Sequence, residues 1–110
     1  MRKRVKLSRT QRDFFSAFVK LMVWAHEQGY EFTFGDANAK TGHTLNSFHY
    51  KRLAVDINLF IKGVYQKTTA AHKPIGEKWE QLGGTWGGRF VDSKGKGRDG
   101  NHYSWGEKRS

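Results

Sequence analysis

The sequence predicts an α+β fold: a small, mainly antiparallel sheet flanked by helices in a single domain. Three observations lead there. One long N-terminal run repeats its apolar residues at helical spacing, several short runs are rich in aromatic and β-branched residues, and glycine-bearing turns separate them. A chain of 110 residues suits one domain, residues 1–110. A domain of that size buries about two thirds of the surface that its unfolded chain exposes. Eight Phe, four Trp and four Tyr supply much of the core.

The first element is a helix from about Thr10 to Gln28. Ser8 and Gln11 fit a capping box at its start. Phe14, Phe15, Phe18, Leu21, Met22 and Ala25 recur along it at helical spacing, and Gly29 stops it. Residues 1–9 then form a basic tail, and residues 106–110 a C-terminal tail. The opening MRKRVK and the apolar run behind it mimic a signal peptide, but Asp13 and Lys20 interrupt that run and no small-x-small cleavage site follows. The stretch is too short and too polar to span a membrane. The expectation is synthesis in the cytoplasm without a signal peptide, and no transmembrane segment.

Tyr30 to Phe34 reads as a short strand, and the polar, glycine-bearing stretch from Gly35 to Asn46 as a loop. Leu53 to Phe60 is the strongest strand. Leu53, Val55, Ile57 and Leu59 share one face, while Ala54, Asp56, Asn58 and Phe60 share the other. Asp56 therefore points away from the most apolar side. Lys62-Gly63 is a hairpin turn, with Val64 to Gln66 returning. Pro74 sits in the first turn of a second helix that runs to about Leu82 and ends at Gly83-Gly84. Trp86 to Val91 is a further strand, Asp92 to Gly100 a loop, and His102 to Trp105 closes the sheet.

The chain has no cysteine, which excludes disulfides, thiolate metal sites and cysteine nucleophiles. Any metal site must use His, Asp or Glu. The formal net charge of +10 favours polyanions such as nucleic acid, acidic lipid surfaces or acidic wall polymer.

Two short motifs carry the chemistry. Ser47-Phe48-His49 is followed by Asp56, and Asp99-Gly100-Asn101-His102 lies near the C-terminus. Two imidazoles and a carboxylate can hold one zinc ion and leave its fourth position to water. A further carboxylate at Asp99 is placed to act as a base. With five His and ten acidic residues in the chain, spacing alone favours the plainer reading of a surface His and a turn Asp capping backbone amides.

The flanking residues add a resemblance. AsnSerPheHis at 46–49, ArgLeuAlaValAspIleAsnLeuPhe at 52–60 and LysGlyValTyr at 62–65 are similar to the zinc peptidases of the D-alanyl-D-alanine carboxypeptidase family, in the Hedgehog-like peptidase superfamily. The stretch Gly76 to Trp79, LeuGlyGlyThrTrpGlyGlyArgPhe at 82–90 and AspGlyAsnHisTyrSer at 99–104 extend the likeness. It covers roughly residues 30 to 105 and is closest to small phage-encoded members.

The resemblance implies zinc held by His49, Asp56 and His102, with Asp99 as general base and acid. It implies a Hedgehog/DD-peptidase-like fold and hydrolysis of a peptide bond in peptidoglycan. In phage members that bond is typically the L-alanyl-D-glutamate bond; other members cut D-alanyl-D-alanine. Many members carry an oxyanion-stabilising Arg upstream of the first His, whereas here no Arg lies between Arg12 and Arg52. Either Lys40, His43 or Arg52 substitutes for it, with His43 and Lys40 the preferred candidates, or zinc alone does the work; the alternative is a chain that has lost activity. An oxyanion donor is worth a few kcal/mol, about a hundredfold or more in rate.

Ser47 either contacts substrate or caps the turn before His49. Trp86, among Gly83, Gly84, Gly87 and Gly88, either shapes a substrate groove or is a packed core residue. His26 reads as a surface residue near a helix end, His72 as an exposed loop residue and Trp79 as core. The sequence thus leads to a zinc-dependent peptidoglycan peptidase, an endolysin, expected as a monomer acting at the cell wall or periplasm. Peptidoglycan is the expected partner, with no dedicated nucleic-acid site. The alternatives are a basic nucleic-acid-binding module and a degenerate peptidase that binds cell wall without cleaving it.

Overall fold

A computed structural model describes residues 2–35, 52–90 and 99–106. In chain order the elements are α1 (Arg2–Glu27), β1 (Tyr30–Phe34), β2 (Ala54–Ile61), β3 (Val64–Gln66), α2 (Lys73–Gln81), β4 (Thr85–Trp86) and β5 (His102–Ser104). Short 3-10 turns occupy Ala70–His72 and Gly87–Arg89. The architecture is the expected α+β one, an antiparallel sheet with helices packed on it.

Strand β2 is the organising element because its alternation commits one face to the core. Val55, Ile57 and Leu59 are buried, while Asp56, Asn58 and Phe60 are partly exposed. The order is β1-β2-β5-β4, with β3 also paired to β2. β1 and β3 both pair with the far end of β2, so they take opposite edges of it. β5 pairs with the near end through Ala54↔Ser104, Val55↔Tyr103 and Asp56↔His102. The β2–β3 hairpin turns on Lys62 and Gly63, at φ 52° and 78°. Two successive positive φ values give the turn twist that matches two antiparallel strands.

The core lies between this face and the two helices. Phe14, Ala17 and Leu21 of α1 and Ile75 and Trp79 of α2 pack with Val55, Ile57, Leu59, Trp86 and Tyr103. Trp79 is fully buried. Phe14 meets its ring edge-on at 5.9 Å, and its indole N–H donates to Ser104 O at 2.9 Å and Thr85 O at 3.2 Å. That one side chain joins α1, α2, β4 and β5. Glycine permits the close packing of α2 on β4, because a Cβ at Gly76 would land inside the Trp86 ring.

Two boundaries differ from expectation. α1 begins at Arg2, and Ser8 lies within it as a helical residue whose carbonyl accepts from Arg12 Nε at 3.4 Å. Lys and Arg are good helix formers and nothing before Ser8 breaks a helix, so the helix runs through the stretch read as a basic tail. The strand expected from Trp86 stops at that residue, and the chain turns through Gly87–Arg89. Adjacent glycines leave no side chains to hold an extended strand there. Val91, most of the loop before Asp99, and residues 107–110 lie outside the described residues.

Candidate functional site

The polar face of β2 and the neighbouring β5 bring two predicted site residues together. Asp56 and His102 are direct register partners, and His102 Nδ1 lies 3.1 Å from Asp56 Oδ1. Their side chains are 15% and 7% exposed, so the pair sits in a largely dry setting where a hydrogen bond is strong. The Phe90 ring covers the imidazole from 5.6 Å.

The approach to β5 is a tight turn. His102 N–H donates to Asp99 O at 3.0 Å, which closes Asp99-Gly100-Asn101-His102, and Ile57 N–H donates to Asn101 O at 3.0 Å. Trp86 Nε1–H donates to Gly100 O at 2.7 Å from beneath. Gly87 backs the turn so closely that a Cβ there would strike the Asp99 carbonyl oxygen and come within 2.7 Å of His102 Cβ. Asp99 is exposed at the start of this turn.

Trp86 is 3% exposed and is a packed core residue. The glycines around it do allow close backbone approach, but to the protein's own rings: Gly88 lies against Trp86, and Gly84 against Trp79. Arg89 pins the same region. Its guanidinium reaches Glu80 at 2.9 and 3.0 Å and lies 5.2 Å from the Trp86 ring centre. The hydrogen bond to Glu80 raises the Arg89 pKa further above its ordinary value.

His72 corrects the expectation of an exposed loop residue, for it is 3% exposed. Its Nδ1 is 2.8 Å from the Tyr103 hydroxyl, and burial lowers its pKa from 6.5 to about 4. Burial also pushes the Tyr103 phenol upward, so both groups are neutral near pH 7. The signal was present in the sequence: His72, Ile75 and Trp79 fall at i, i+3 and i+7, one face of a helix that starts a turn early. A polar recess of about 160 Å³ lies beside the turn, with Asn58, Gln66, Thr68, Thr69 and Asn101 among its lining groups.

The zinc expectation is corrected at this point. A catalytic zinc needs three protein ligands. Among the described residues, no group of three or more His, Cys, Asp or Glu side chains can hold a metal ion. Asp56 and His102 converge on each other, and His49, the third expected ligand, lies outside the described residues. So do Lys40, His43 and Ser47, the expected oxyanion and substrate groups. The described residues do not fit a zinc centre, and no step is derived through one. The zinc cofactor, the metallopeptidase mechanism, and the identification as a zinc-dependent endolysin cutting L-alanyl-D-glutamate are all overturned on this ground.

The comparisons with known proteins agree with the frame around the pair. A family model described as D-alanyl-D-alanine carboxypeptidase matches residues 40–105. No curated protein and no solved structure matches the chain. The match takes in β2, β5, the turn between Asp99 and His102, and more than half of the sequence, and the chain belongs to the D-alanyl-D-alanine carboxypeptidase family.

Proposed function

We propose that this protein binds the peptide portion of peptidoglycan and does not cleave it by a zinc-dependent reaction. The observation that carries the reading is the Asp56–His102 pair, largely buried and hydrogen-bonded together in the family's matched segment. The recess beside it offers carboxamide and hydroxyl groups from Asn58, Gln66, Thr68, Thr69 and Asn101. Such groups suit the amides and hydroxyls of a short peptide, with a few polar contacts fixing its orientation. Lys67 at the same recess, and a net charge of +10, favour the carboxylates of a wall peptide. The place of action is then the cell wall, and the protein works there as a single copy.

The test is retention on purified, insoluble peptidoglycan, with the supernatant assayed for new amino termini. Saturable retention without new termini, with or without added zinc, is the expected result. Chelator-sensitive release of amino termini would overturn the reading. Complete displacement by soluble DNA at equal charge would reduce the interaction to non-specific electrostatics and would also overturn it.

A further inference from the structure

Helix α1 has two apolar faces, and the core uses one. Phe14, Ala17, Leu21 and Ala25 are buried. Phe15, Val19 and Val23, spaced four residues apart, form a second line that is 66%, 45% and 55% exposed. Phe34, at the end of β1, is 72% exposed and borders a shallow groove that Phe15, Phe18, Val19, Met22 and Val23 also line. A helix apolar on two faces needs a second apolar contact, and a contiguous patch of this kind marks an interaction surface.

The charge on the same helix selects the occupant. Arg9, Arg12 and Lys20 are exposed. Arg12 stands three residues before Phe15 and seven before Val19, so it continues the apolar line towards the N-terminus. Arg2, Lys3, Arg4 and Lys6 add to the basic character of the first turns, against Asp13 and Glu27 alone. A second copy of a chain carrying +10 would meet strong repulsion along this helix. A nucleic acid would use the cations, but it has no stacking use for Val19 and Val23. Among the described residues no helix is long and apolar enough to cross a membrane. A basic amphipathic helix of 26 residues instead has the form that lies in a lipid interface.

We infer that α1 docks flat on an anionic phospholipid surface. Phe15, Val19, Val23 and Phe34 enter the boundary between headgroups and acyl chains, and the flanking Arg and Lys side chains pair with lipid phosphates. The helix lies ahead of the segment matched to the family, so the surface belongs to this chain's own N-terminal element.

The experiment is co-sedimentation of the full chain with phosphatidylglycerol vesicles and, separately, phosphatidylcholine vesicles. The wild type is expected to partition onto the anionic vesicles and to be released by salt. The triple variant Phe15→Gln, Val19→Gln, Val23→Gln keeps the charge and has good helix formers at exposed positions. Its partition should fall by about tenfold or more. A second variant, Arg9→Gln, Arg12→Gln, Lys20→Gln, should lose binding to the anionic vesicles alone. Undiminished binding of the first variant would show attraction by charge only and would overturn the docking face. Absence of wild-type binding would overturn the proposal, as would a dimer in analytical ultracentrifugation that the first variant dissociates.

Discussion

His72 makes the stability of this fold depend on pH in a direction and size that can be worked out. The imidazole is 3% exposed, and burial lowers its pKa from 6.5 to about 4. Above pH 6.5 it is neutral in both the folded and the unfolded chain. Below that, the unfolded chain takes up a proton that the folded chain refuses, so stability falls as the pH falls. The loss runs at about 1.4 kcal/mol per pH unit and levels off once the folded group titrates near pH 4. Between about pH 7.5 and about pH 4.5 the site withdraws about 2.5 kcal/mol, a large share of the stability of a small domain. The assay is urea unfolding at the two pH values for the wild type and for His72→Gln, whose amide can still bond the Tyr103 hydroxyl. The two proteins differ only at position 72, so the difference between the two losses isolates His72. The wild-type midpoint should fall further by roughly 1–2 M urea. Equal losses in the two proteins would refute the buried neutral imidazole.

Two further substitutions probe how the site is held. Gly87→Ala puts a methyl group against the Asp99 carbonyl and His102 Cβ. It should cost about 1–3 kcal/mol in urea unfolding and move the amide resonances of Gly100 to His102 while leaving β1 in place; unmoved resonances would contradict the close approach. Arg89→Lys replaces a two-point contact to Glu80, which is only partly exposed, with a single point charge. A loss of about 0.5–1 kcal/mol is expected, shrinking at high salt, and no measurable loss would mean that the fork adds nothing.

What the sequence disclosed, and what it hid, divides along physical lines. Alternation in β2 placed Asp56 on the polar side, and two positive φ values suit Lys62-Gly63 as the turn that was read there. Tyr30–Phe34 and Val64–Gln66 needed only local propensity. The helix start failed because a capping box is a short-range signal, while the stretch from Arg2 to Leu7, rich in Lys and Arg and free of Gly and Pro, carries helix through it. His72 was missed because its face is set by a 3-10 turn that joins α2, so its burial depends on Tyr103, thirty-one positions away. The metal motif failed differently. A spacing pattern names residue types, whereas coordination requires three atoms to converge; among the described residues no such group forms, Asp56 and His102 meet each other, and His49 lies outside them.

The sheet also orders the two proposed surfaces. Val55, Ile57 and Leu59 turn one face of β2 to α1 and α2, and strand alternation turns Asp56 and Asn58 the other way. Asp56 of β2 meets His102 of β5 on the face opposite the helices, and Asn58 on that face lines one wall of the polar recess while His72, just before α2, lines another. Phe14 and Leu21 anchor α1 to the core, and the exposed line of Phe15, Val19 and Val23 is turned outward by the helical repeat. A chain lying on lipid through α1 would therefore hold its Asp56–His102 side away from that surface, free to meet peptide while the helix is engaged. The two proposed contacts use different residues. Substitutions at Phe15, Val19 and Val23 should then reduce vesicle binding without changing retention on purified peptidoglycan, because no residue lines both the recess and the groove along that helix.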